Sequence, residues 1–284
     1  EAEQIFREYT LRPGRVVVHG SQSRRDKRSV LRADYALFYK TGVALAVIEA
    51  KDNAHAVGAG MQQAIGYAEL LSVPFSFSSN GDGFVFRDAT LSTGVLEKTI
   101  TLEEFPSPAE LWDRYCAWKG WPPEARQIIE QPYSPSKTPR YYQLNAINRT
   151  VEAIANGQQR ALLVMATGTG KTYTAFQIIW RLWKSPWRAA GKKRILFLAD
   201  RNILIDQTMV NDFRPFKGAM AKLSPNAKGV ERIDASGKGF IEDLDLAVNK
   251  TTKEVNKSYE IYLSLYQAVS GNDEAQNIYK QFSR

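Results

Sequence analysis

Two spacings of apolar residues alternate along the chain and sort it into strands and helices before any motif is read. Residues 33–51 hold two apolar runs joined at Thr41-Gly42, which predicts a pair of strands. Ala64, Ile65, Ala68 and Leu71 recur at helical spacing, which predicts a helix over 61–71. The segments 74–79 and 84–88 flank Asn80-Gly81-Asp82-Gly83 and predict a hairpin. Residues 1–9 are expected to form a short helix. The first part of the chain therefore reads as an α/β domain on a mixed sheet.

Pro122, Pro123, Pro132, Pro135 and Pro139 then interrupt any regular pattern, because proline lacks the amide that a helix interior or a central strand needs. This stretch reads as a tether. Past it, a helix over 141–155 leads to a near-continuous apolar run at 161–166, expected to be a buried parallel strand. A glycine-rich turn, a helix over 171–184 and a second buried strand at 194–200 complete a βαβ unit. Residues 222–258 are polar and lysine-rich, suiting a surface excursion, and 261–266 reads as a further strand. The expected organisation is a mixed-sheet domain over 1–120, a linker over 121–140 and a parallel-sheet P-loop domain over 141–284.

Composition narrows the classes. At 44% hydrophobic and 24% charged over 284 residues, the chain suits two soluble globular domains. No apolar run approaches the roughly 20 residues of a membrane span, and the chain opens Glu-Ala-Glu rather than with a basic and then apolar leader, so a cytoplasmic location is expected. Cys116 stands alone, which excludes an internal disulfide and a cysteine-rich metal site, and His19 and His55 cannot build a zinc centre without carboxylates. The net charge of +8 points to a polyanionic partner. It is unevenly spread: 15 basic against 17 acidic residues over 1–135, and 23 against 13 beyond. Arg24, Arg25 and Arg28 crowd one stretch of the first half, as either phosphate contacts or a solvated loop.

Residues 165–172 read Met-Ala-Thr-Gly-Thr-Gly-Lys-Thr, ending in the G-K-[ST] of a P-loop between an expected strand and an expected helix. Backbone amides of Thr167, Gly168, Thr169 and Gly170 can surround a phosphate. The helix start adds its dipole, Lys171 reaches the β- and γ-phosphates, and the Thr172 hydroxyl suits Mg²⁺. Met165 stands where the motif usually has its first glycine. ATP and Mg²⁺ are thus the expected cofactors of this half.

In the first half, Asp34 begins one predicted strand and Glu49-Ala50-Lys51 ends the next. Side chains alternate along a strand, so Glu49 and Lys51 share a face. A carboxylate and an ammonium at the end of an otherwise apolar strand are costly unless paired or metal-bound. Two carboxylates from adjacent strands suit a hard oxygen-seeking cation such as Mg²⁺, held by Asp34 and Glu49, with Lys51 placed to position water or offset developing charge. The chemistry that follows is phosphodiester hydrolysis. The competing reading is an ion pair at a strand end.

These residues carry a resemblance. The segment 33–53 is similar to the PD-(D/E)xK nuclease core of the restriction subunits of type I restriction-modification enzymes, with Ala33 in place of the usual proline. The resemblance implies that Gln63 and Tyr67, as a Q-x-x-x-Y pair, support the site, and that Glu8 in the first helix is an additional acid near the metal. The loop 165–172 resembles that of superfamily 2 helicases. That likeness implies that Gln143 reads adenine and that Arg201, in the segment 197–207, touches the DNA backbone. The implied fold is a restriction-endonuclease-like domain followed by a RecA-like lobe. The lobe is expected to be partial, because no acidic Walker B pair follows the strand at 261–266, so weak or no ATP hydrolysis is expected.

The order, nuclease core before motor, is that of type I restriction subunits, whereas type III subunits place the nuclease after the motor. The resemblance implies a protein that joins methyltransferase (modification) and specificity subunits, translocates double-stranded DNA with ATP and cuts it. Two other readings remain at this point: a DNA translocase or repair helicase whose N-terminal domain is a non-catalytic adaptor, and a P-loop ATPase unrelated to nucleic acid.

Overall fold

The computed structural model describes residues 4–13, 16–19, 22–26, 29–186, 194–224, 229–234, 238–269 and 281–282. The chain forms two compact units, one of residues 1–169 with 180–187 and the other of 170–179 with 188–284.

The first unit is built on β1 (Ile5–Pro13), β4 (Val30–Lys40), β5 (Val43–Ala50), β6 (Phe75–Ser79), β7 (Phe84–Asp88) and β8 (Glu97–Ile100), with a small side ribbon of β2 (Val16–His19) and β3 (Gln22–Arg25). The main sheet has the order β1-β4-β5-β6-β7-β8. Its pairs are antiparallel except β5 and β6, which run parallel and are joined by helix α1 (Met61–Leu71). That crossover follows from the pattern: β5 is apolar on both faces, as a strand covered by helices on both sides must be. One face carries Ala33, Ala36, Phe38 and Val47 against Ala68, Leu71 and Leu144, the last from α4 (Tyr141–Ala155). The other carries Leu45, Phe75, Phe77 and Phe86 against Leu111, Trp112 and Tyr115 of α2 (Pro108–Lys119) and Ile129 of α3 (Pro123–Ile129).

The expected hairpins, the 61–71 helix and the 141–155 helix are present. The N-terminal helix is not: that segment is strand β1. Phe6 and Tyr9 both pack on Phe38, at ring separations of 4.9 and 5.7 Å, although a three-residue spacing does not put two side chains on one face of a regular strand. Glu8 lies between them with φ +51°, and this irregularity lets both rings reach the same face. The proline-rich stretch is also more than a tether, since it folds α3 and buries Trp121, Ala125, Ile128, Ile129 and Tyr133. Each of its prolines sits where no amide is needed, Pro123 opening α3.

The second unit has a parallel sheet of order β10-β13-β9, from β9 (Ile195–Ala199), β10 (Met220–Lys222) and β13 (Ile261–Leu265). Helix α5 (Lys171–Lys184) begins in this unit, where Phe176 meets Phe213 and Phe216, and its last turn belongs to the first unit. Helix α6 (Asn202–Val210), the ribbon β11 (Val230–Ile233) with β12 (Gly239–Glu242), and α7 (Tyr266–Val269) complete it. The 222–258 excursion is thus partly structured, with Lys222, Ala247, Val248 and Val255 buried. The strand expected at 161–166 is not formed: the segment is irregular, with Leu162 88% and Val164 90% exposed. A buried parallel strand needs ladder partners, and among the described residues none pairs with this run.

Candidate active site

The β4–β5 hairpin turns at Thr41-Gly42, where Gly42 takes φ +88°. Its register pairs Tyr35 with Ile48, which sets Asp34 across from Glu49. The two are stitched together by hydrogen bonds in both directions. The Ala50 amide donates to Asp34 Oδ2 at 2.8 Å, and the Asp34 amide donates to Glu49 Oε1 at 3.4 Å.

Glu49 is 1% exposed. Burial above all, and then the charge of Asp34, push its carboxyl up to about 7; the Asp34 amide and Lys51 only partly offset them. Lys51 Nζ lies 3.7 Å from Glu49 Oε2 and donates to Gln63 Oε1 at 3.1 Å. Gln63 in turn donates through Nε2 to the Tyr67 hydroxyl at 3.1 Å, across one turn of α1. Asp34, Glu49, Lys51, Gln63 and Tyr67 therefore form one connected network. Tyr67 also packs against the core with its ring.

Glu8 is on strand β1 rather than a helix, in the register position facing Asp34 between the Arg7–Tyr35 and Tyr9–Ala33 pairs. Its carboxylate is exposed and paired with Arg32 at 3.0 Å. Positive φ at a non-glycine residue beside the acidic pair is the kind of strain that clusters at functional sites.

Two further residues escaped the sequence reading. A β-carbon on Gly60 would lie 2.9 Å from Glu49 Cβ and 3.0 Å from Ser78 Oγ, so only glycine lets the start of α1 close onto the acid. Ser78, buried and in register with Glu49 on β6, donates to Val57 O and accepts from the Gly60 amide, fixing that approach. The available signals were the Gly58-Ala59-Gly60 run before a helix and the Phe-Ser-Phe-Ser-Ser alternation of β6.

The donor set suits a divalent cation. Among the described residues no group of three or more His, Cys, Asp or Glu side chains gathers, so Asp34 and Glu49 would be the two protein carboxylates. A buried acid whose charge is under-compensated is the group that a hard cation would hold in its ionised form.

In the glycine-rich loop, Gly168 and Gly170 take φ +77° and +86°, and open space surrounds Gly168. Thr169 donates through its amide and its hydroxyl to Ala166 O, and Thr167 is exposed. Lys171 and Thr172 open α5, with the Thr174 amide bonded to Gly170 O. Positive φ at two glycines gives this segment its tight turn. Gln143 is 5% exposed, with both ends of its amide engaged: Oε1 accepts from the Arg140 amide and Nε2 donates to Thr169 O. It braces the loop in this conformation. Arg201 is the largely exposed N-cap residue of α6, 3.8 Å from Asp200. Arg24 and Arg25 lie on β3, with side chains outside the description, and Arg28 lies outside the described residues.

Residues 136–284 match the family model described as type III restriction enzyme, res subunit. The chain is 54% identical over 282 residues to the type I restriction enzyme EcoAI endonuclease subunit of Escherichia coli, covering 98% of this chain and 31% of the relative. It is 36% identical over 153 residues, half of this chain and 12% of the relative, to the EcoKI endonuclease subunit of Escherichia coli K12. It superposes with a TM-score of 0.69 and 37% identity on a fragment structure of an HsdR subunit of a type I restriction enzyme from Vibrio vulnificus YJ016, over 98% of this chain and 44% of that one. The chain thus spans about a third of the first of these relatives.

Proposed function

Because the chain belongs to the restriction-enzyme res-subunit family and is a homologue of type I restriction endonuclease subunits, we propose that it is the nuclease and first motor portion of an ATP-dependent type I site-specific deoxyribonuclease. The observation that carries this reading is the single network running from Asp34 through Glu49, Lys51 and Gln63 to Tyr67.

Asp34 and Glu49 would hold Mg²⁺, which when bound supplies Lewis-acid polarisation of the scissile phosphate and a more acidic water. Lys51 places an ammonium beside Glu49, where it can orient a water or offset charge building on the phosphate. Gln63 holds that ammonium by its amide oxygen, and Tyr67 holds Gln63. Ser78 and Gly60 keep the helix start against Glu49. In the second half, the loop amides with Lys171 and Thr172 would take the phosphates of ATP and its Mg²⁺, and Gln143, braced on the loop, would face adenine after exchanging a partner. Arg24, Arg25, Arg28 and Arg201 are the proposed DNA contacts. Double-stranded DNA, methyltransferase and specificity subunits are the proposed partners. No helix among the described residues is long and apolar enough to cross a membrane, and the proposed location is the cytoplasm of a prokaryotic cell.

The test is Asp34→Ala or Lys51→Ala in the complete assembly with its partner subunits. Loss of DNA cleavage with ATP turnover retained supports the reading. Undiminished cleavage overturns it in favour of a non-catalytic N-terminal adaptor.

A further inference from the structure

Helix α4 has two dressed faces. Leu144, Ile147 and Val151 go into the core, while Asn145, Asn148, Arg149 and Glu152, three or four residues apart, line a cavity of about 410 Å³ within the first unit. Lys119 of α2 and Arg181 of α5 also line it. This wall is removed from the acidic network and shares no residue with the glycine-rich loop.

Its charge is unbalanced. Lys119 and Glu152 pair at 3.2 Å and cancel. Arg149 donates to the neutral Ser72 hydroxyl at 3.0 Å. Arg181 is 1% exposed and bonds only to neutral oxygens, Asn148 Oδ1 and Ile129 O, while its Nε has no hydrogen-bond partner. Among the described residues neither arginine has a carboxylate within ion-pair distance. Ile129 ends α3, so its carbonyl offers part of a helix dipole, much less than a full countercharge. Burial without a counter-ion lowers the Arg181 pKa to about 10. The fork of guanidinium donors matches two oxygens of a phosphate or carboxylate, and a cavity of this size is in the range that admits small ligands.

We propose that this cavity is a second anion site, which takes a phosphate-bearing small ligand no larger than a mononucleotide through Arg149 and the buried charge of Arg181.

Trp112 and Trp121 line the same cavity, so intrinsic fluorescence can report occupancy. The 284-residue chain carrying Lys171→Ala, which disables the glycine-rich loop, is titrated with inorganic phosphate and separately with AMP, against sodium chloride at matched ionic strength. A saturable response to phosphate or AMP beyond chloride is expected, weakened about tenfold or more by Arg149→Ala, as loss of a charged hydrogen bond implies. Tighter binding of AMP than of phosphate identifies a nucleotide as the ligand, and equal or weaker binding identifies free phosphate. The proposal is overturned if chloride reproduces the response, if Lys171→Ala abolishes it, or if Arg149→Ala leaves it unchanged. Arg149 is exposed, so its variant is expected to fold, which circular dichroism checks.

Discussion

Gly60 approaches Glu49 so closely that a β-carbon on the glycine would stand 2.9 Å from the β-carbon of the acid. The start of α1 and the end of β5 are thereby locked together at the point where the network of acids and amine begins. Gly60→Ala forces one of them to move. Overpacking of this kind costs about 1–3 kcal/mol. Urea unfolding should show that loss, and cleavage by the assembled enzyme should fall with it; wild-type stability and cleavage would show that the contact is slack.

The Glu49 carboxyl titrates near 7 in the folded chain and near 4.5 when exposed. The folded state then holds the proton more tightly, so this group's stabilising contribution is full below pH 4.5 and is lost as pH rises through about 7. Without divalent ions, Glu49→Gln should therefore be more stable than the parent at pH 8, by about 3 kcal/mol, and the gap should close toward pH 5. Denaturation midpoints at the two pH values decide it. Mg²⁺ should restore the parent at pH 8 and leave the variant largely unaffected, since the ion offsets the buried negative charge that only the ionised acid carries.

Tyr67 touches the site only through Gln63, so its role is positioning. Tyr67→Phe keeps the ring in the core and removes the hydroxyl that receives the Gln63 amide. Cleavage by the assembly should fall by about tenfold, the value of one hydrogen bond, with little change in stability. Gln63→Ala, which also frees Lys51, should fall further. Equal cleavage by Tyr67→Phe and parent would place the tyrosine in the core alone.

Gln143 is buried with its oxygen and its nitrogen both bonded to backbone, joining the start of α4 to the glycine-rich loop. Gln143→Ala should cost about 1–3 kcal/mol through the groups left unpaired. If it also serves adenine, binding of a fluorescent ATP analogue should weaken more than binding of inorganic triphosphate. Equal losses would assign it to the loop alone.

Much of this protein was legible along the chain because the relevant physics is local. The β4–β5 hairpin, α1, the β6–β7 hairpin, α4 and α5 follow from apolar spacing and turn residues. Asp34, Glu49 and Lys51 stand out because charge at the end of a buried strand is costly, and the glycines of 168–170 because a tight loop needs positive φ. What the tertiary structure alone decided is how distant segments meet. Phe6 and Tyr9 share a face only because Glu8 is irregular, and the strand pairing of this segment with β4 is not visible in its own residues. The run 161–166 is apolar enough for a core strand, but burial depends on partners that no local pattern supplies. Gly60 and Ser78 become part of the site only when β6 lies beside β5, and Arg181 faces Asn148 only when α5 ends against α4. Periodicity records which side chains must leave water; long-range pairing decides what they meet when they do.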